Sequence, residues 1–202
     1  MPGLQSIALF FKKPYRWASL YATALTGVCV LILLDAFVIP RPLAVAAKTP
    51  AIIPAGNEGG PAAPVIGDAS YADDRISITI ETLRRYDTTI FIADIIIHNP
   101  VYVRTAFAGN TFGRNISKTT SSLAAEHRAI FAINGDYYGF RESGYVLRNG
   151  VLYRAGGKNS ALLMDTEGNL FCKNETDISA ADTDGAWQIW SFGPPLVLDG
   201  KL

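Results

Sequence analysis

The chain has 202 residues, with eighteen Lys and Arg against eighteen Asp and Glu, and 49% of it is hydrophobic. Balanced charge supplies no field for nucleic acid or an acidic partner. The two cysteines, Cys29 and Cys172, provide neither a disulfide framework nor metal-type spacing, and no residue pattern calls for a metal or a cofactor.

Residues 1–16 form a basic N-terminal segment that includes Lys12, Lys13 and Arg16. From Trp17 to Ile39 the run "WASLYATALTGVCVLILLDAFVI" carries one charge, Asp35. At about 1.5 Å per residue, a helix of this length crosses a hydrocarbon core of roughly 30 Å. Trp17 and Tyr21 suit the interface, and Pro40 and Pro42 stop the helix. A cleaved signal peptide is the competing reading, with "PLAVAA" as its cleavage region, and a buried core helix is a third. The apolar run is longer than a signal-peptide core of about 7–15 residues, so residues 17–39 read as a retained anchor. The basic flank places the N-terminus in the cytoplasm and the remainder outside it, although Arg41 and Lys48 weaken the asymmetry.

Residues 40–70, rich in Ala, Pro and Gly, read as a spacer without sustained period, and 71–202 as the folded domain. Within it "RISITIETL" alternates with period two, whereas "TTIFIADIIIH" is β-branched and nearly continuous, the pattern of a strand buried on both faces. "RRYD" between them carries turn chemistry. "VYVRTAF" reads as a further short strand, and "NTFGRNISKTT" as a polar loop. Thr119 or Thr120 caps a helix through "SSLAAEHRA". "AIFAI" reads as a buried strand. "GYVLRNGVLYR" is a hairpin turning on Asn149-Gly150, the pair that favours a type I′ turn, and "ALLMDTEGNLFCK" repeats that logic. "DISAADTD" reads as a short helix and "AWQIWSF" as a strand. The fold class is therefore α+β: strand-rich, mainly antiparallel, with one or two packed helices.

The chemistry-bearing stretch is Asn134-Gly135-Asp136-Tyr137-Tyr138-Gly139, at the end of "AIFAI". Asn and Asp bond hydroxyls, glycine admits close backbone approach, and tyrosines offer a stacking face with a polar tip, which suits sugars. The same residues between apolar runs are also a turn signal, and both readings stand. Arg141 and Glu142 are either a surface ion pair or, through the arginine, a phosphate contact. His98 and His127 have no ligand partner nearby in sequence. Asn115-Ile116-Ser117 and Asn174-Glu175-Thr176 fit the N-glycosylation pattern.

Three segments in order, "IADIIIHNPVYVRTAFAGNTFGRN", "AIFAINGDYYGFRESGYVLRNGVLYR" and "WSFGPPLVLDG", resemble the phosphodiester glycosidase family, in particular its bacterial, membrane-anchored, exopolysaccharide-associated branch. The resemblance covers roughly Arg75 to Leu202. It implies hydrolysis of a sugar-1-phosphodiester, with a carbohydrate or sugar-phosphate substrate and a single-pass membrane location. By the resemblance Asp136 takes the carboxylate role near the anomeric carbon. Asn134, Gly135, Tyr137 and Tyr138 meet the sugar, Arg141 lies beside the phosphate, and Glu142 is a further substrate-binding position. Family members continue into an Asn-Pro-Arg-Thr-Ala-type and a Leu-Asp-Gly-Gly-Gly-Ser-Ser-type motif, and this sequence contains neither. The expectation is thus the N-terminal part of such a domain. The alternatives are a non-catalytic carbohydrate-binding or assembly factor, or a partial chain without activity of its own.

Overall fold

The computed structural model describes residues 15–45, 63–197 and 201. Lys12, Lys13, residues 46–62 of the spacer and residues 198–200 lie outside the described residues. In chain order the elements are α1 (Arg16–Phe37), β1 (Arg41–Pro42), β2 (Val65–Gly67), β3 (Ser70–Ala72), β4 (Ile76–Arg85), β5 (Thr88–Ile97) and β6 (Gly113–Arg114). There follow α2 (Thr120–Glu126), β7 (Val146–Arg148), β8 (Val151–Arg154), β9 (Ser160–Asp165), β10 (Leu170–Asn174), α3 (Ala180–Gly185) and β11 (Ala186–Phe192). This is an α+β chain of antiparallel sheets, divided into two units.

The first unit comprises the chain up to Leu43 together with Gly113–Ser117. Its α1 is long and apolar enough to cross a membrane, and none of it is buried in protein. Ser19 and Thr23 do not break the apolar run, because each hydroxyl donates to a carbonyl one turn back, Tyr15 and Ser19 respectively. The helix closes at Phe37, since Pro40 excludes helical geometry from the residue before it. Asp35, the one charge of the run, pairs with Arg41. The Asn115 amide donates to the carbonyls of Asp35 (3.1 Å) and Ile39 (2.9 Å), satisfying acceptors that every helix end leaves open. β1 pairs with β6, Arg41 opposite Arg114.

The second unit comprises Ala44–Phe112 and Lys118–Leu202 and holds two sheets. One is the meander β2-β3-β4-β5. It begins at Val65, inside the segment read as spacer, because the turn between Gly67 and Ser70 folds β2 back on β3. β4 and β5 pair over ten positions, from Ile76 with Ile97 to Arg85 with Thr88, around Tyr86 and Asp87, which both adopt left-handed backbone. β5 is not buried on both faces as its composition predicts. Nine of its ten residues are exposed, because β4 is its only neighbour and no layer covers it among the described residues.

The other sheet, ordered β10-β9-β11-β7-β8, holds the core. Val146, Leu147, Leu163 and Ile189 are at most 1% exposed, and burying each stabilises the fold by about 1.5–3 kcal/mol. The β7–β8 turn is as expected: Asn149 (φ 52°) and Gly150 (φ 77°) both take positive φ, which a type I′ turn requires. The β9–β10 turn is fastened by Asp165, whose Oδ1 accepts from the amides of Glu167 and Asn169. Thr119 caps α2 by accepting from the Ser122 amide. α3 opens with a capping box between Ser179 and Asp182.

Two expected strands are absent. "VYVRTAF" begins with a 3-10 turn, Pro100–Tyr102, which Asn99 caps through the Val101 amide. The segment then docks through side chains rather than a ladder. Asn149 Oδ1 accepts from the Thr105 amide, Asn149 Nδ2 donates to the Thr105 carbonyl, and Gln188 Nε2 and Trp187 Nε1 donate to the Val103 carbonyl. "AIFAI" forms no strand: the chain bends at Ile130 and Phe131, and Ile133 is 77% exposed. Apolar alternation signals a strand only where a neighbour completes the ladder, and neither segment has one.

Candidate functional site

β11 and β9 run antiparallel with Phe192 opposite Ser160, β10 ends at Asn174 opposite Ser160, and β8 ends at Arg154 opposite Val146. One end of the five-stranded sheet therefore collects Phe192-Gly193-Pro194, Lys158-Asn159-Ser160, Asn174 and the loop that enters β7. That loop is the Asn134–Gly144 stretch.

Asp136 fixes the loop to the sheet. Its side chain is only 4% exposed; Oδ1 accepts from Arg148 Nη2 at 2.6 Å and Oδ2 from the Ser191 amide at 3.1 Å. Arg148 is 2% exposed. It also donates to the carbonyls of Ile189 and Leu147 and lies 5.9 Å from the centre of the Trp190 ring. Burial pushes the Arg148 guanidinium down from its usual range, and the charge and hydrogen bond of Asp136 oppose that shift. A buried pair of this kind costs much to break, since removing one partner strands the other charge in the core.

Two more arginines hold the same loop. Arg141 donates to the Ser191 carbonyl at 2.7 Å. Arg154 donates to the carbonyls of Gly144 (2.8 Å), Tyr138 (3.1 Å) and Arg141 (2.6 Å). Tyr138 packs into an aromatic cluster, its ring stacked on Phe112 at 5.2 Å and edge-on to Phe107 at 5.1 Å. The loop thus has a pinned inner face and an open outer one. Asn134, Gly135 and Glu142 are exposed, and Tyr137 (63%) and Phe140 (87%) present rings to solvent.

Beneath this end lies Glu175, 2% exposed, which the sequence presents only as the middle of a glycosylation triplet. Oε1 accepts from the Tyr145 amide at 2.9 Å and Oε2 from the Asn159 amide at 2.8 Å. The Glu175 amide in turn donates to the Asn159 carbonyl at 2.8 Å. The carboxylate clamps the start of β7 to the turn before β9. Gly157 is required beside it, since a Cβ there would sit 2.0 Å from Oε2. A shallow, open depression lined by Lys158, Asn159, Ser160, Asn174, Gly193 and Pro194 lies over the clamp.

Of the residues singled out in the sequence, Asp136, Tyr138 and Arg141 are brought together on the sheet end, with their polar atoms or rings turned onto the protein. Asn134, Gly135, Tyr137 and Glu142 sit on the outer side of the same loop. Arg148, Arg154, Ser191 and Glu175 escaped the sequence reading. A charged residue inside the alternating run "GYVLRNGVLYR" is the one clue, because a cation on a buried strand demands an anion. Among the described residues no three His, Cys, Asp or Glu side chains group closely enough to hold a metal ion, and His98 and His127 are exposed. Compared with models of known protein families, with curated proteins and with solved structures, the chain matches none.

Proposed function

We propose that the chain is a membrane-anchored, extracytoplasmic hydrolase that cleaves the bond between a sugar's anomeric carbon and a phosphate in surface polysaccharide. One observation carries the reading: the Asp136 carboxylate joins the Asn-Gly-Asp-Tyr-Tyr loop to β11 immediately before Phe192-Gly193-Pro194. Two of the segments that resemble phosphodiester glycosidases therefore meet at one sheet end. The apolar helix α1 supports the anchored part of the reading.

In this reading the exposed side of the loop meets the sugar. The Asn134 amide bonds hydroxyls, and the Tyr137 ring, 63% exposed, offers a stacking face. Asp136 and its Arg148 partner supply charge. In this reading the contribution of Asp136 is negative charge set against an oxocarbenium-like transition state. Phosphate leaves readily, which lowers the demand for an acid. Arg141, which gives one of its five donors to the Ser191 carbonyl, and Lys158, exposed at the same end, are the cations that would meet the phosphate.

A second reading is a carbohydrate-binding factor without hydrolysis. It is favoured by the engagement of both Asp136 oxygens inside the protein. The test uses the full chain in detergent micelles with a GlcNAc-1-phosphodiester, measuring binding by calorimetry and release of free sugar. Release that falls in Asn134→Ala and Tyr137→Ala, with folding unchanged, supports the hydrolase. Binding without release selects the second reading, and absence of both eliminates the two together.

A further inference from the structure

The turn from β8 into β9, Ala155-Gly156-Gly157-Lys158-Asn159-Ser160, carries donors that the fold does not use. The amides of Gly156, Gly157 and Lys158 meet no acceptor among the described residues, although both glycines are half-buried. The Lys158 ammonium, the Asn159 side-chain amide and the Ser160 hydroxyl have no partner among the described residues either. Backbone N–H groups withdrawn from solvent ordinarily find an acceptor, so a run of unmatched ones calls for one from outside. Gly156 takes left-handed backbone (φ 84°), one of the two conformations whose alternation gathers successive N–H groups into an anion-binding concavity.

The same turn lines a depression. Lys158, Asn159 and Ser160 border it together with Asn174, Gly193 and Pro194. Its volume of about 210 Å³ falls below the roughly 300–1,000 Å³ of a site for a whole small molecule, so it suits a single polar group. The turn is also fixed from below. Glu175 Oε2 accepts from the Asn159 amide at 2.8 Å, and the Glu175 amide donates to the Asn159 carbonyl at 2.8 Å. Donors held in place beforehand cost little further ordering when a ligand arrives.

We propose that this turn and its depression bind the phosphate of a phosphodiester, with Lys158 as its counter-ion and the loop amides as neutral donors. The inference rests on the hydrolase reading for its place in a reaction, and not for the binding itself. Of the two cations named for the phosphate, Lys158 lines the depression and Arg141 does not. The balance of charge selects the ester form. Lys158 is the one cation in the lining, whereas the buried Glu175 carboxylate lies beneath it and Asp177 accepts from Asn174 Nδ2 at 3.4 Å. A phosphodiester carries one negative charge. A phosphate monoester carries close to two at neutral pH, and so meets more repulsion from these carboxylates.

The test titrates the full, isotope-labelled chain in nonionic detergent micelles with diethyl phosphate, a phosphodiester without sugar, and follows amide resonances. Those of Gly156, Gly157 and Lys158 should move saturably, and ethyl phosphate, the monoester, should need a higher concentration to do the same. Lys158 is exposed and unbonded, so Lys158→Gln leaves the fold intact. It should weaken the diester by about tenfold or more, the usual worth of a hydrogen bond to a charged group. No saturable shift at the turn, an unchanged diester affinity in Lys158→Gln, or tighter binding of the monoester overturns the proposal. Titration with a GlcNAc-1-phosphodiester separates it from the hydrolase reading. Saturable shifts at the turn without release of free sugar uphold the phosphate site and remove the hydrolase. Release of sugar with the turn unmoved does the reverse.

Discussion

Asp136→Asn isolates the energetics of the loop that carries the candidate chemistry. The aspartate presents two oxygens to two donors, Arg148 Nη2 and the Ser191 amide, with its side chain 4% exposed. Asparagine keeps one oxygen and turns an NH2 toward the second donor, and it leaves the Arg148 charge without a counter-ion in a site 2% exposed. Breaking a buried pair by removing one partner costs about 3–5 kcal/mol, a large part of the roughly 5–15 kcal/mol that holds a domain folded. The double change Asp136→Leu with Arg148→Met removes both charges at similar volume and is expected to restore most of that loss. Urea unfolding of the full chain in detergent reads this out by tryptophan fluorescence, since Trp190 lies against Arg148. A loss below about 1 kcal/mol for Asp136→Asn would show that the pair is not closed to solvent, and the argument from its burial would fail. A functional defect in this variant therefore has meaning only at temperatures where it is shown to be folded.

Glu175→Ala removes the acceptor of the buried Tyr145 amide and of the part-buried Asn159 amide, and a buried donor left unmet costs about 1–3 kcal/mol. The expected loss is about 3 kcal/mol, with faster amide exchange at those two residues; unchanged exchange would refute the clamp. Gly157→Ala is expected to cost about 1–3 kcal/mol through overpacking on Oε2, and much less in a Glu175→Ala background, a non-additivity that a double-mutant cycle detects. The Lys173 hydrogen bond, followed by those from Ser179, holds the Asp182 carboxyl down at about 2, below its ordinary 3.8. A depressed carboxyl stabilises above its unfolded pKa and loses that contribution as pH falls through its folded one. Stability should thus decline across pH 4 to 2, and Asp182→Asn should flatten that limb while lowering stability at neutral pH by about 1 kcal/mol, the usual worth of a helix cap. An acid limb unchanged in the variant would remove Asp182 from it.

Local chemistry alone determined much of this protein. The apolar run that became α1, the Asn149-Gly150 turn and the Thr119 cap each depend on residues within one turn of one another. Local chemistry does not decide structure that depends on a distant neighbour. "TTIFIADIII" and "AIFAI" have the composition of buried strands, yet β5 is an exposed edge and the second segment pairs with nothing described, because composition records a tendency to be covered and not the cover. The loop at Asp136 shows both sides. Its residue types marked it in the sequence as a turn or a sugar-facing site. Only the tertiary structure decided that Asp136 faces inward, since Arg148 and Ser191, 12 and 55 residues further along the chain, provide the charge and the amide that make burying a carboxylate tolerable.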